Sequence, residues 1–505
     1  MTEQALWFLL VGVLLMFVAL ARGPIGRLPL SGAMIYLAVG VAVGPGGLGL
    51  VHADLVGNAH TLVVIAVIAV IAEAGLVISL FSVGMHLRVP LRDRLWRLPL
   101  RLGVPAMVFT VALMFAFGWA MGLPPGVALF LAAVLAPTDP VLANELRVRE
   151  AGDDEPVRFA LSGEGGLNDG AAMPFAMLGL ALSGVPVSGT QSALAFAGSL
   201  VWGVAGALLC GVALAMLCVR LVLHLRTQYG EALGLDGFIA IGLMSVAYGV
   251  ALLLHAYAFV AVFAAGVALR HEELRATGAQ RPAQALEHVQ LRERAEVAKD
   301  PGRAHAWLAT GMTDFTREIE HFAECSVLLI IGCVVSAHWR EMLAPHAVLC
   351  ALVLVFVARP AAVLLAMTGA HADGQQRRLM AWMGLRGVGA FYYALWGIGQ
   401  AGDALRPVLP AALDAIVISV VLHGSTAGFA LGRYLRRKET AQASGAQRRG
   451  RAGPGKRDSR LRRGGTAIAQ ASSFRRIAWI RYGPSGTTVG RKSWFRASAS
   501  MRSFA

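Results

Sequence analysis

Apolar runs of about twenty residues recur along most of the chain, separated by short polar breaks, and they limit it to one kind of structure. A helix needs that length to cross ~30 Å of hydrocarbon, where each backbone N–H and C=O must find its partner within the segment. Hydropathy places thirteen spans at 5–21, 29–45, 61–84, 101–120, 125–143, 157–182, 193–219, 232–253, 257–269, 321–337, 345–367, 379–400 and 409–432. The ninth is short enough to lie at the interface instead of crossing. With 56% apolar and only 15% charged residues in 505, the expected fold class is an all-α polytopic membrane protein.

The basic residues then orient the chain. The odd-numbered loops, with their edges, carry 22 Lys and Arg, whereas the even-numbered loops carry only Arg340 and Arg406. Positive charge stays on the cytoplasmic side, so the N-terminus is expected outside and the C-terminus in the cytoplasm.

Charge also marks the domain boundaries. From Arg433 onward there are 19 Lys and Arg against Glu439 and Asp458, a net +17 of the chain's +15, so the preceding residues carry a net −2. Residues 433–505 therefore read as a basic cytoplasmic tail. Rich in Arg, Ser, Gly and Ala and without periodicity, it is expected to be disordered and able to lie on an anionic leaflet. No recognition fold accompanies the charge, so no nucleic-acid partner is expected. Residues 1–432 form the membrane domain, including a mixed-charge connector at 271–320 with a helical-looking patch from Pro282 to Lys299.

Cys210, Cys218, Cys325, Cys333 and Cys350 fall in or beside spans without metal-site spacing, as small buried apolar residues do. Enzyme motifs are missing too. There is no nucleophile elbow or phosphate loop, and His271-Glu272 begins a zinc-protease pattern that Arg275 breaks. The expectation is that the chain is not an enzyme and needs no cofactor.

Four carboxylates interrupt the apolar spans: Glu73, Asp139, Glu164 and Asp169. A charge at the bilayer centre costs at least ~3 kcal/mol and persists mainly where it faces a protein-lined or watery cavity. Pro137 and Pro140 flank Thr138 and Asp139, remove backbone donors and clash with the preceding turn, so this helix should break near mid-membrane. A break leaves carbonyls and amides free beside a carboxylate and a hydroxyl, the way secondary transporters build ion sites. A kinked helix with Asp139 capping its second half is the plainer reading, and the two are compatible. In the next span Glu164 and Asn168 are i, i+4 and share a face, while Asp169 lies about 100° round the helix. Burial disfavours the charged form of a carboxylate, so near neutral pH such a group holds either a proton or a small cation. That competition is the minimal chemistry of an antiporter.

Thr138-Asp139-Pro140 followed by Glu164-x-x-x-Asn168-Asp169 resembles the monovalent cation:proton antiporters of the sodium/proton exchanger type, in particular their bacterial thirteen-helix, electroneutral branch. Leu80-Phe81-x-x-Gly84, Ala358-Arg359-Pro360 and Gly384-Leu385-Arg386-Gly387-Val388-Gly389 match the same family in order and spacing. The resemblance covers roughly residues 5–432.

It implies about thirteen transmembrane helices in inverted repeats with two discontinuous crossing helices. Spans four to six and eleven to thirteen would form the transport core, set against a scaffold that makes a homodimer in the inner membrane. Asp169 would bind cation and proton alternately, with Thr138 and a backbone carbonyl as neighbouring ligands, so that the cation sits at Asp169 and Thr138. Asp139 and Asn168 would support the site. Glu73, on a facing scaffold helix, would add an outer ligand, though a buried helix–helix contact explains it nearly as well. Glu164 would pair with Arg359 as a structural ion pair, and Arg386 would compensate the carbonyl ends of the second broken helix.

Two positions bear on the ion. The family commonly places Ser where this chain has Gly165, which removes a side-chain oxygen. Asn168 stands where related electrogenic members carry a second acid, which suggests one cation exchanged for one proton. Sodium/proton exchange is expected, with potassium/proton exchange as the close alternative and a cation channel or pH-sensing membrane receptor as the alternative of another class. The partners are then sodium or potassium, the proton and the lipid bilayer.

Overall fold

The structure is a computed structural model that describes residues 31–50, 59–139, 155–187, 192–229, 234–278 and 303–451, with residues 5, 9, 12, 13, 16, 20, 148, 153, 189 and 300 singly. Among the described residues there are thirteen helical runs and no strand. They are α1 (Gly32–Val43), α2 (Ala59–His86), α3 (Arg94–Ala120), α4 (Pro125–Leu135), α5 (Pro156–Leu182), α6 (Ala193–His224) and α7 (Asp236–Leu253), followed by α8 (Ala258–Thr277), α9 (Ala304–Met342), α10 (Pro345–Ala366), α11 (Gly374–Trp382), α12 (Val388–Ala401) and α13 (Val408–Arg451). Seven of these are long and apolar enough to cross a membrane, namely α2, α3, α6, α7, α9, α10 and α13, while α1 and α4 are apolar but shorter.

The match to the expected spans is not one to one. The first expected span lies mostly outside the described residues, as does the patch from Pro282 to Lys299. The twelfth is two helices, α11 and α12, separated by extended residues 383–387. The ninth is not an interfacial stub. It runs to Thr277, with Phe259, Val262, Ala265 and Leu269 buried, between α2 and α6. The tenth begins at Ala304, so both ends of the expected connector are helix.

Local chemistry accounts for the helix starts. Ser31 accepts from the Met34 N–H at 3.3 Å, Pro125, Pro156 and Pro345 occupy first-turn positions where a missing N–H costs nothing, and Asp373 with Gln376 forms a capping box on α11. Just before Pro360, α10 widens into a π turn at Leu354–Ala358. Such a turn accommodates the N–H that proline lacks.

Helices approach closely through small residues, as membrane packing favours. A Cβ on Gly332 of α9 would fall 2.7 Å from the Gly40 Cα of α1, and one on Gly84 of α2 would fall 2.6 Å from the Phe263 carbonyl of α8. At the centre, α5 touches α2, α3, α4, α8, α11 and α12. It carries little apolar patterning and is buried on most sides, which is what lets it hold charged side chains.

The chain divides into two units, 1–441 and 442–505, and of the second the described residues 442–451 are helical. The compositional boundary at 432/433 falls inside α13.

Candidate functional site

Two interruptions of helix meet beside α5. After α4 ends at Leu135, residues 137–139 are not helical, and neither are residues 383–387 between α11 and α12. The Asp139 N–H donates to the Leu385 carbonyl at 2.9 Å, joining the two breaks. Thr138, Asp139, Leu385 and Arg386 are all buried there. Pro140 and the continuation of the helix expected beyond it lie outside the described residues.

Asn168 and Thr138 are brought together: the Asn168 amide donates to Thr138 Oγ1 at 2.8 Å. That bond leaves Asn168 Oδ1 buried without a hydrogen-bond partner among the described residues. Thr138 keeps its own O–H and a further lone pair.

Asp169 is 4% exposed and stands against the first turn of α12, where a Cβ on Gly389 would lie only 2.6 Å from its Oδ1. The N-terminal end of a helix carries partial positive charge, so α12 presents its favourable pole to the carboxylate. Asp139 and Arg386 are charged groups near Asp169. The α5 backbone is fixed here too, because the Tyr393 hydroxyl donates to the Asp169 carbonyl oxygen at 2.5 Å.

Glu164 and Arg359 form a bidentate pair, with Nη2 to Oε2 at 2.8 Å and Nη1 to Oε1 in close contact. Their side chains are 1% and 3% exposed. Arg359 Nη2 also donates to the Met383 carbonyl at 3.0 Å, so the guanidinium ties α5 to the carbonyl end of α11. Arg386 is fully buried and its Nη1 donates to the Gly384 carbonyl at 3.2 Å, within the second break. Ser419 of α13 holds the same residue by its backbone, accepting from the Arg386 N–H at 2.9 Å and facing its carbonyl at 3.3 Å.

Glu73 lies apart from this group. Half-buried in α2, it accepts hydrogen bonds from the hydroxyls of Tyr248 in α7 and Tyr392 in α12, the second at 3.5 Å, and from no other named site residue. Gly165 is buried within α5. Among the described residues no group of three His, Cys, Asp or Glu is placed to hold a metal.

Several polar residues around the site escaped the reading by pattern: Ser419, Tyr248, Tyr392 and Tyr393. The available signal was chemical, since a phenol or hydroxyl inside a membrane span needs a partner. A second buried network, farther along α2, α8 and α9, was missed entirely. There Arg88 pairs with Glu273 at 2.8 Å, Arg270 Nη2 donates to Thr313 at 2.7 Å, and Ser82 donates to Glu320 at 2.7 Å. Arg270, Glu273 and Glu320 are polar enough to read as loop, yet each is buried with a partner from another part of the chain.

The arrangement is a buried carboxylate beside a hydroxyl, an amide oxygen, the end of α4 and the gap between α11 and α12, with the Glu164–Arg359 pair and Arg386 nearby. Such a set can exchange a proton for a cation of low charge. Residues 12–433 match the family model described as sodium/hydrogen exchanger, transmembrane. No curated protein matches the chain by sequence. The fold is similar to that of the sodium proton antiporter MjNhaP1 from Methanocaldococcus jannaschii at pH 8, with a TM-score of 0.61 and 19% identity over 85% of this chain and 98% of that one. An electron-microscopy structure of the same antiporter gives a TM-score of 0.61 and 19% identity over 83% of this chain and 95% of that one. The chain therefore belongs to the sodium/hydrogen exchanger family: it is a multi-pass membrane transporter that exchanges a cation for a proton, and not an enzyme.

Proposed function

We propose that the protein exchanges one sodium ion for one proton without net charge movement, with Asp169 binding each in turn. The observation that carries this reading is the position of Asp169 against the first turn of α12, next to the Asn168–Thr138 hydrogen bond and the crossing of the two breaks. The helix dipole favours an anionic carboxylate at this place, and a proton and a cation would compete for it.

Thr138 Oγ1, Asn168 Oδ1 and a carbonyl of the broken helix would complete the cation's shell, and Asp139 would hold the two breaks together through its N–H. Asn168 is neutral, which leaves one exchanging acid at this place. Glu164 and Arg359 would serve structure, Arg386 would balance the carbonyl ends of the second break, and Glu73 would act as an outer ligand. The inner membrane, a homodimer, and an outside N-terminus with a cytoplasmic C-terminus complete the reading. Potassium/proton exchange stays in view because Gly165 offers no oxygen to tighten the shell around a smaller ion.

The test is exchange in proteoliposomes under an imposed pH gradient, with sodium, potassium or lithium as the sole cation. Saturable proton movement with sodium at the lowest half-saturating concentration supports the reading. Equal rates with choline alone would refute it.

A further inference from the structure

Glu73 sits near the middle of the 28-residue helix α2, and among the described residues no Lys or Arg forms an ion pair with it. A carboxylate at that depth is costly without compensation. What it has instead is two phenols on a single oxygen: Tyr248 close on Oε1, and Tyr392 at 3.5 Å from the same atom. A phenol has one hydrogen to donate; both phenol oxygens lie within hydrogen-bonding reach of Glu73 Oε1, and the two phenols also reach each other.

The three groups come from three helices, α2, α7 and α12. Phe259 of α8 packs against both phenols, at ring-centroid distances of 5.5 Å to Tyr248 and 5.4 Å to Tyr392. The next residue on α12, Tyr393, turns the other way and donates to the Asp169 carbonyl. Two successive phenols, about 100° apart on the helix, thus join α12 to Glu73 on one side and to the exchange site on the other.

We propose that Tyr248 and Tyr392 are positioning residues that control when Glu73 can act as a cation ligand. The proposal rests on the reading of Glu73 as an outer ligand and of α5 and α12 as parts of a core that moves against α2 and α7. On that reading the Tyr393–Asp169 bond stays within the core and the Tyr248–Glu73 bond within the scaffold, but the long Tyr392–Glu73 bond crosses the boundary and must break in each cycle. Tyr248 fixes the carboxylate's orientation. Tyr392 competes with the cation for Oε1 and releases it when the core moves.

The experiment uses the full chain in proteoliposomes and compares the apparent KM for sodium and the maximal rate of wild type, Glu73→Gln, Tyr248→Phe, Tyr392→Phe and each tyrosine variant combined with Glu73→Gln. Phenylalanine keeps the ring packing on Phe259. The stabilisation of detergent-purified protein by sodium, read as a shift in Tm, gives a second measure of affinity that does not depend on transport. The expected results are a raised KM in Glu73→Gln, a KM lowered by about threefold to tenfold in Tyr392→Phe, as suits a long hydrogen bond at 3.5 Å, and a raised KM in Tyr248→Phe. Both tyrosine effects should vanish in the Glu73→Gln background. If Glu73→Gln leaves KM and the sodium-dependent Tm shift unchanged, Glu73 is no ligand and the proposal falls with that reading. If Glu73→Gln raises KM but the tyrosine variants act equally with and without Glu73, or not at all, the ligand stands and the positioning role is overturned.

Discussion

The Asp139 N–H donates to the Leu385 carbonyl at 2.9 Å, so the non-helical segment after α4 and the one between α11 and α12 are joined by a main-chain hydrogen bond. Buried backbone groups must be paired somewhere. Here the pairing couples the break that carries Thr138 to the break that carries Arg386.

The Glu164–Arg359 pair is predicted to be a stability element. Removing one partner of a buried pair leaves the other charge uncompensated, at a cost of ~3–5 kcal/mol. Glu164→Gln and Arg359→Ala should each lower the Tm in detergent well below that of wild type. Arg359→Ala should be the more damaging, because it also frees the Met383 carbonyl. Wild-type melting by both variants would show that the pair contributes nothing.

Gly389→Ala is predicted to injure transport without injuring the fold. Alanine is the better helix former by ~1 kcal/mol, yet its Cβ would fall 2.6 Å from Asp169 Oδ1 and force the carboxylate aside. Exchange at saturating cation should drop by at least ~10-fold, since an ångström of misplacement at a reacting group is costly, while Tm is kept or raised. Unimpaired exchange would place the carboxylate elsewhere.

Selectivity is predicted to respond to residue 165. Gly165→Ser adds a short-range oxygen to α5, from which sodium and lithium gain more than potassium. The ratio of half-saturating concentrations, potassium over sodium, should rise. An unchanged ratio puts residue 165 outside the coordination shell.

Much of this architecture was legible in the sequence, for identifiable reasons. Long apolar runs positioned the membrane helices because the bilayer imposes a length, and Pro137 stands just past the end of α4 at Leu135, as a residue that cannot continue a helix should, while the continuation expected beyond Pro140 lies outside the described residues. The second break was legible only through the resemblance of Gly384-Leu385-Arg386-Gly387, since hydropathy runs smoothly across residues 379–400. Hydropathy failed for the first half of α9, where Thr313 and Glu320 read as loop but are buried by Arg270 and Ser82. The roles of Tyr248, Tyr392 and Ser419 depend on partners over a hundred or only a few dozen residues away on other helices, and no local pattern encodes such distances.

Charge movement is predicted to be absent. With Asn168 neutral and Asp169 the one exchanging carboxylate, each cycle moves one cation and one proton in opposite directions. Initial rates in vesicles clamped at zero and at strongly negative potential, under identical ion gradients, should agree. Each net charge moved would otherwise contribute ~2.3 kcal/mol per 100 mV, and rates differing several-fold would return Asp139 or Glu73 to the set of proton carriers.

The most direct test of the whole account is cation-dependent proton flux through Asp169→Asn in proteoliposomes holding equal amounts of folded protein. The substitution keeps the volume and hydrogen-bonding capacity of the side chain and removes only the titrating charge. The account predicts that the protein folds and melts near wild type but that sodium no longer drives proton movement at any pH. Exchange at wild-type rates would contradict it and remove Asp169 from the site.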